Sequence, residues 1–164
     1  MEYAKIKGFN YQPSWGSSGL EIWRNFDGER MGHELSLGKC YFPGMNAIRL
    51  WLSHDAWMRN PEAFEKAFDA ALSIADARSL PVMPVLFNRW HDGTLDYGGI
   101  YIDHFLPKVS WVQNKNRPAA FAEAILSAHA NDPRVFAWDL CNEPFSYSCS
   151  PKDIPDIVKA EYAW

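Results

Sequence analysis

The sequence predicts an α/β fold in which parallel strands are joined by helices. Three observations predict it. Short apolar runs alternate with longer segments whose apolar residues recur every three or four positions, in the order βαβαβαβα. The runs are near-continuously apolar, as in strands covered on both faces; Val82-Met83-Pro84-Val85-Leu86-Phe87 is the example. The turn after the first run, Asn10-Tyr11-Gln12-Pro13, carries no glycine-rich phosphate loop, which sets aside a dinucleotide-binding fold.

The elements follow in order. Ile6-Lys7-Gly8-Phe9-Asn10 reads as the first strand, and Tyr11 to Gly19 as a loop rich in Ser, Gly, Pro and aromatic residues. A helix is expected from Asp27, its N-cap, to Tyr41, with Phe42-Pro43-Gly44 as the stop. Ala47 to Leu52 is the second strand. Asn60 caps the next helix, Pro61 suits its first position, and the stripe through Phe64, Ala67, Phe68, Ala71 and Leu72 packs on a sheet; Leu80-Pro81 ends it. The third strand is Val82 to Phe87, although Pro84 is awkward in a central strand. A long connection, Asn88 to Val112, precedes a helix that opens at Arg117-Pro118 and closes before Asp132-Pro133. The fourth strand runs from Val135 into Asn142-Glu143-Pro144, and a last helix begins at Pro151 or Asp153.

Bulk properties narrow the function. A chain of 164 residues can bury one real core, and 22% charged against 48% hydrophobic residues leaves no room for extensive disorder. A net charge of -4 argues against a nucleic-acid partner. No apolar run approaches the roughly 18 residues of a membrane span, and the first residues form no signal peptide. The expected location is cytoplasmic, or secreted after processing. Cys141 reads as a small buried hydrophobe, and its pairing with Cys149 is disfavoured by the odd count of three cysteines. His54, His91 and His104 match no metal-ligand spacing, so no metal or cofactor is expected.

In a parallel array all strands end on one face. That face is expected to collect Asn10, Tyr11, Gln12 and Trp15 from the first strand and Arg49, Trp51, Ser53 and His54 from the second. The third delivers Asn88, Arg89, Trp90 and His91, and the fourth Asn142 and Glu143. Amides, charges and flat rings together suit a polyol: hydroxyls meet polar groups and C–H faces meet rings. A carboxylate at the tip of a buried strand is where a (β/α) barrel puts its chemistry.

Asn142-Glu143-Pro144 after a Trp-Asp-Leu strand resembles the acid/base motif of the clan of retaining glycoside hydrolases with (β/α)8 barrels, family 5 and its relatives. Asn46-Ala47-Ile48-Arg49-Leu50-Trp51 is similar to their second, Arg-bearing strand. Asn10-Tyr11-Gln12-Pro13 and Phe87-Asn88-Arg89-Trp90-His91 sit where their first and third strands end. The resemblance covers residues 5 to 145 and implies about the first four of the eight β/α units of a TIM barrel. It implies Glu143 as general acid and then base, and Asn142 on the sugar 2-hydroxyl. It also implies Arg49 holding the nucleophile's carboxylate ionised, His91 as a substrate contact, and Trp15, Trp51 and Trp90 as stacking platforms. Structural readings stand beside these roles. Glu143 would then be a first-turn acid of a following helix, Arg49 an ion-pair partner, Asn142 a turn residue, and Trp51 and Trp138 core.

A retaining enzyme needs a second carboxylate about 5–5.5 Å from the first. The resemblance places it on a seventh strand, and only four units are legible here. Glu161, Asp92 and Asp96 do not fit it. Residues 1–164 are therefore read as an N-terminal half-barrel with open edges at strands one and four. Alone it is expected to associate and to lack glycosidase activity, with the missing C-terminal half as its natural partner. A non-catalytic carbohydrate-binding form and a half-barrel completed by another chain are the other readings. The glycan itself is not legible.

Overall fold

The computed structural model describes residues 2–88 and 117–143 of the chain. Four strands form one parallel sheet: β1 (Gly8–Tyr11), β2 (Ala47–Trp51), β3 (Val82–Asn88) and β4 (Asp139–Asn142), in the spatial order β1-β2-β3-β4. Sequential neighbours are spatial neighbours, as in a barrel wall opened out. The five helices among the described residues are α1 (Gly19–Arg24), α2 (Gly28–Tyr41), α3 (His54–Arg59), α4 (Pro61–Asp76) and α5 (Arg117–His129).

Local chemistry sets the helix ends. The Asp27 carboxylate accepts from the Arg30 N–H at 2.9 Å and starts α2. The Asn60 side chain accepts from the Ala63 N–H at 3.1 Å and Pro61 takes the first position of α4. The helix ends at Asp76, earlier than Leu80-Pro81 suggests. Ser79 adopts φ 55°, and the Leu80 and Ser79 N–H groups donate to the Ala75 and Asp76 carbonyls. This is a Schellman closure with serine where glycine is usual.

The apolar stripe of α4 buries Phe64, Phe68, Ala71, Leu72 and Ala75, and α5 adds Phe121 and Ile125, in one cluster with the buried residues of β2 and β3. Truncating Phe68 or Phe121, each fully buried, would cost about 3–5 kcal/mol. No helix among the described residues is long and apolar enough to cross a membrane.

Three departures from the sequence reading have physical causes. The first strand begins at Gly8, because a 3-10 turn at Tyr3–Lys5 takes the Ile6 N–H. The helices α1 and α3 lie in stretches to which the sequence reading gave no element, because six residues hold fewer than two turns and show no period. The fourth strand is split: Val135 makes an isolated bridge to Val82, and pairing resumes only at Asp139. Val82 both donates to Arg134 and accepts from Phe136, so its backbone faces the β4 side. Pro84, two residues on, faces the same side and has no N–H to give, so the ladder lapses opposite it. Pro84 thus sits in a central strand at the cost of its neighbour's pairing. Expectations for the connection after Asn88, for Cys149 and for a helix from Pro151 or Asp153 lie outside the described residues.

Both sheet edges carry exposed apolar side chains. Phe9 on β1 is 44% exposed and lies 4.9 Å, ring to ring, from the exposed Phe42; Leu140 on β4 is 41% exposed.

Candidate active site

The strand register assembles the site. Asn10 pairs with Arg49, Arg49 with Met83, Val85 with Asp139, and Asn88 with Asn142. Asn46 helps fix the first of these pairings. Its side chain accepts from the Lys7 N–H at 2.7 Å and donates to the Lys5 carbonyl at 2.9 Å.

Arg49 then reaches across the sheet. Its Nε–H donates to Asp139 Oδ2 at 3.0 Å, and one Nη2–H goes to the same oxygen. The other Nη2–H donates to Asn142 Oδ1 at 2.9 Å, and one Nη1–H to Asn10 Oδ1 at 3.0 Å. Asn142 Nδ2 donates onward to Asn88 Oδ1 at 3.1 Å. A single hydrogen-bonded chain therefore crosses all four strands. The guanidinium also lies 5.3 Å from the Trp51 ring centroid, within cation–π range.

Donor counting sharpens the role of Arg49. A guanidinium has five N–H groups, and four are committed: Nε–H, both Nη2–H and one Nη1–H. One Nη1–H has no acceptor among the described residues. Because Arg49 can only donate, Asn142 must turn its oxygen to Arg49 and its amide hydrogens away. One of those hydrogens goes to Asn88, and the second has no acceptor among the described residues.

Glu143 follows directly. It is exposed at the tip of β4 and adopts φ 50°, a left-handed conformation uncommon for a non-glycine residue. Strained backbone of this kind clusters at functional sites.

The other singled-out residues are distributed unevenly. Trp15 packs against the core, and its indole N–H donates to the Ile22 carbonyl at 2.9 Å, so it braces α1. Tyr11 donates to Glu34 Oε2 at 2.6 Å, and Ser14 donates to the other Glu34 oxygen, tying the end of β1 to α2. Burial, then Glu34, pushes the Tyr11 hydroxyl far above its ordinary range and keeps it protonated. Ser53 and His54 do not face the site. The Ser53 hydroxyl caps α3 at the Ala56 N–H, and His54 is buried among Trp57, Phe87 and Phe121. Trp90 and His91 lie outside the described residues. No group of three His, Cys, Asp or Glu stands together among the described residues.

Asp139 is the site residue that sequence reasoning passed over. It was visible only as the middle of Trp-Asp-Leu, 90 residues from the arginine that binds it. An Asp inside an apolar strand is itself a signal, because a carboxylate in such a place needs a cation.

Parallel β/α units in sequential strand order, with Glu143 at the tip of the fourth strand, define the class as the wall of a (β/α) barrel. Comparison with known proteins makes this particular. No family model matches the chain. It is 28% identical over 140 residues to mannan endo-1,4-beta-mannosidase A of Podospora anserina, covering 82% of this chain and 35% of that protein. The Hypocrea jecorina mannan endo-1,4-beta-mannosidase A is 26% identical over 140 residues, covering 82% and 30%. A mannan endo-1,4-beta-mannosidase F of Aspergillus clavatus is 32% identical over 102 residues, covering 58% and 22%. The crystal structure of GH5_18 from Streptomyces cattleya in complex with GlcNAc superposes with a TM-score of 0.64 at 18% identity, covering 96% of this chain and 41% of that one. The chain thus spans about a third of the length of the curated relatives it matches. The fold is that of the β/α units of the Streptomyces cattleya barrel, and these relatives are named as mannan endo-1,4-beta-mannosidases, which are glycoside hydrolases.

Proposed function

We propose that the protein carrying this chain hydrolyses O-glycosidic bonds in a β-linked polysaccharide, β-1,4-mannan foremost, by a retaining two-carboxylate mechanism. The observation that carries the proposal is the four-strand network centred on Arg49, which ends beside Glu143. The similarity to endo-mannosidases supports the choice of glycan.

Glu143 protonates the glycosidic oxygen as the bond to the anomeric carbon breaks. It then takes a proton from the water that releases the sugar. Asn142, with its oxygen held by Arg49, offers its remaining amide hydrogen to the sugar 2-hydroxyl, a contact that tightens in the transition state. The remaining Arg49 Nη1–H meets the nucleophile's carboxylate. Asp139 is unsuited to be that nucleophile. It stands three residues back from Asn142, roughly 10 Å by strand rise, and already receives two of the Arg49 bonds. The nucleophile is assigned to sequence outside these 164 residues, on a further strand.

The test uses the full-length protein with Glu143→Ala. Turnover of mannan should fall by about 10²–10⁴. Added azide should restore turnover of an activated aryl β-mannoside and yield the β-mannosyl azide. Unchanged mannan turnover in the variant would exclude Glu143 as acid/base. Sugar binding without turnover by the unsubstituted protein would mark a carbohydrate-binding relative.

A further inference from the structure

The strand β2 carries two partly exposed side chains, Arg49 and Trp51, among the buried Ile48, Leu50 and Leu52. Two residues apart on a strand, they stand on the same face. The Arg49 guanidinium lies over the Trp51 ring, 5.3 Å from its centroid. One face of the ring is therefore taken, and a sugar platform would need it free.

The Trp51 indole N–H is buried and has no acceptor among the described residues. Trp15, Trp23 and Trp57 differ. Their N–H groups reach the Ile22 carbonyl at 2.9 Å, the Trp51 carbonyl at 2.9 Å and Glu65 Oε1 at 3.1 Å. A buried donor without an acceptor costs stability, and a plain apolar side chain in its place would avoid that cost. Trp51 is thus a poor core filler, and what distinguishes it is the ring face under Arg49. Tryptophan is the best partner for a cation of this kind. The ring also has a fixed base. The bond from Trp23 to the Trp51 carbonyl ties the end of β2 to α1, where Trp23 packs in the core against Phe64, ring to ring at 4.9 Å.

The pull on the guanidinium is uneven. Asp139 receives two of its N–H groups in charge-assisted bonds, whereas Asn142 and Asn10 receive one each as neutral acceptors. Left to these bonds alone, the cation favours Asp139. The ring adds a contact from β2 itself, which holds the cation where it reaches all three.

We propose that Trp51 is a positioning residue that acts through Arg49: its ring fixes the guanidinium and so keeps Asn142, the neighbour of Glu143, correctly turned. Its effect on turnover rests on the glycosidase reading.

The test compares the full-length protein with Trp51→Phe, which keeps a ring face, and Trp51→Met, which has similar bulk and no ring. NMR with isotope-labelled arginine reads the solvent exchange of the Arg49 Nε–H and needs no turnover. Kinetics use an aryl β-mannoside and its 2-deoxy counterpart. Trp51→Met should speed Arg49 Nε–H exchange by about tenfold. It should lower kcat by about 10–10² with KM little changed, and shrink the penalty for the missing 2-hydroxyl by about tenfold. Trp51→Phe should stay close to the unsubstituted protein in all of these. Unchanged exchange and an unchanged 2-deoxy penalty in Trp51→Met would overturn the proposal. So would a Trp51→Phe variant that loses as much as Trp51→Met, since the role would then belong to the indole N–H. Should thermal melts show Trp51→Met to be unfolded, Trp51→Phe decides: protected Arg49 Nε–H supports the proposal and fast exchange overturns it. Absent turnover in the unsubstituted protein would count against the glycosidase reading alone, because the exchange measurement still tests the contact.

Discussion

Two arginines organise opposite ends of this sheet, and they do so differently. Arg134 lies just before β4, at the end where the strands begin. It commits all five N–H groups: Nε–H to the Asp132 carboxylate, both Nη1–H groups to the Asp69 carbonyl and the Ser73 hydroxyl, and both Nη2–H groups to Asp69 and Asp132. His129 adds a contact from Nδ1 to Asp132 at 2.9 Å. Arg49 lies in the middle of β2 and commits four among the described residues. The saturated network locks α4 and α5 to the start of β4. The other leaves one Arg49 N–H without an acceptor among the described residues. In a (β/α) barrel this is the division between the stabilising end and the reactive end.

The comparison breaks most visibly at Arg49. In the full-length protein, Arg49→Leu should lower kcat/KM on mannan by about 10²–10³, because Asn142 loses the donor that orients it and Asp139 its cation. Arg134→Leu should leave kcat/KM of the folded protein unchanged and lower stability by about 1–3 kcal/mol, read by urea unfolding. The reverse pattern would erase the distinction between the two ends.

Acid sharpens the same contrast. The Arg134 hydrogen bonds, followed by that from His129, hold the Asp132 carboxyl well below the usual carboxylate range. A carboxyl depressed by folding contributes stability that is complete above about pH 4 and is lost as pH falls below that. Asp132→Asn should therefore destabilise the protein at pH 7 and flatten its stability profile below pH 4, measured by thermal melts across that range. An unchanged slope would mean that the Arg134 network does not carry the acid sensitivity.

The smallest expected effect lies at the end of α4, remote from both networks. Ser79 sits at φ 55° in a Schellman closure. Ser79→Gly should relieve left-handed strain and raise stability by up to about 1 kcal/mol, with no change in activity. A loss of stability would show that the entropy of an added glycine outweighs the strain.

Legibility of the fold tracked element length and chemistry. The helix α4 could be read because Asn60, Pro61 and a two-face pattern agree over 16 residues. The bounds of α5 and the start of α2 were equally plain. The helices α1 and α3 were not, since six residues hold fewer than two turns and show no period. One signal was available: Ser18 and Glu21 have the spacing of a capping box, and Ser18 does cap Glu21. Of the site, the strand-end positions of Asn142 and Glu143 were legible. The reach of Arg49 to Asp139 was not, because it depends on the register of three strands. Trp15 shows what the sequence could not: a tryptophan in a loop suggested an open platform, and the structure adds that its N–H holds α1 and that the ring is partly buried.

The central claim is that Glu143 supplies the proton to the leaving group. The most direct test compares full-length protein with and without Glu143→Gln on aryl β-mannosides whose leaving groups span a wide range of acidity. Loss of the acid should lower kcat/KM by about 10²–10⁴ for poorly acidic leaving groups and hardly at all for strongly acidic ones, which depart without a proton. A loss independent of the leaving group would contradict the account.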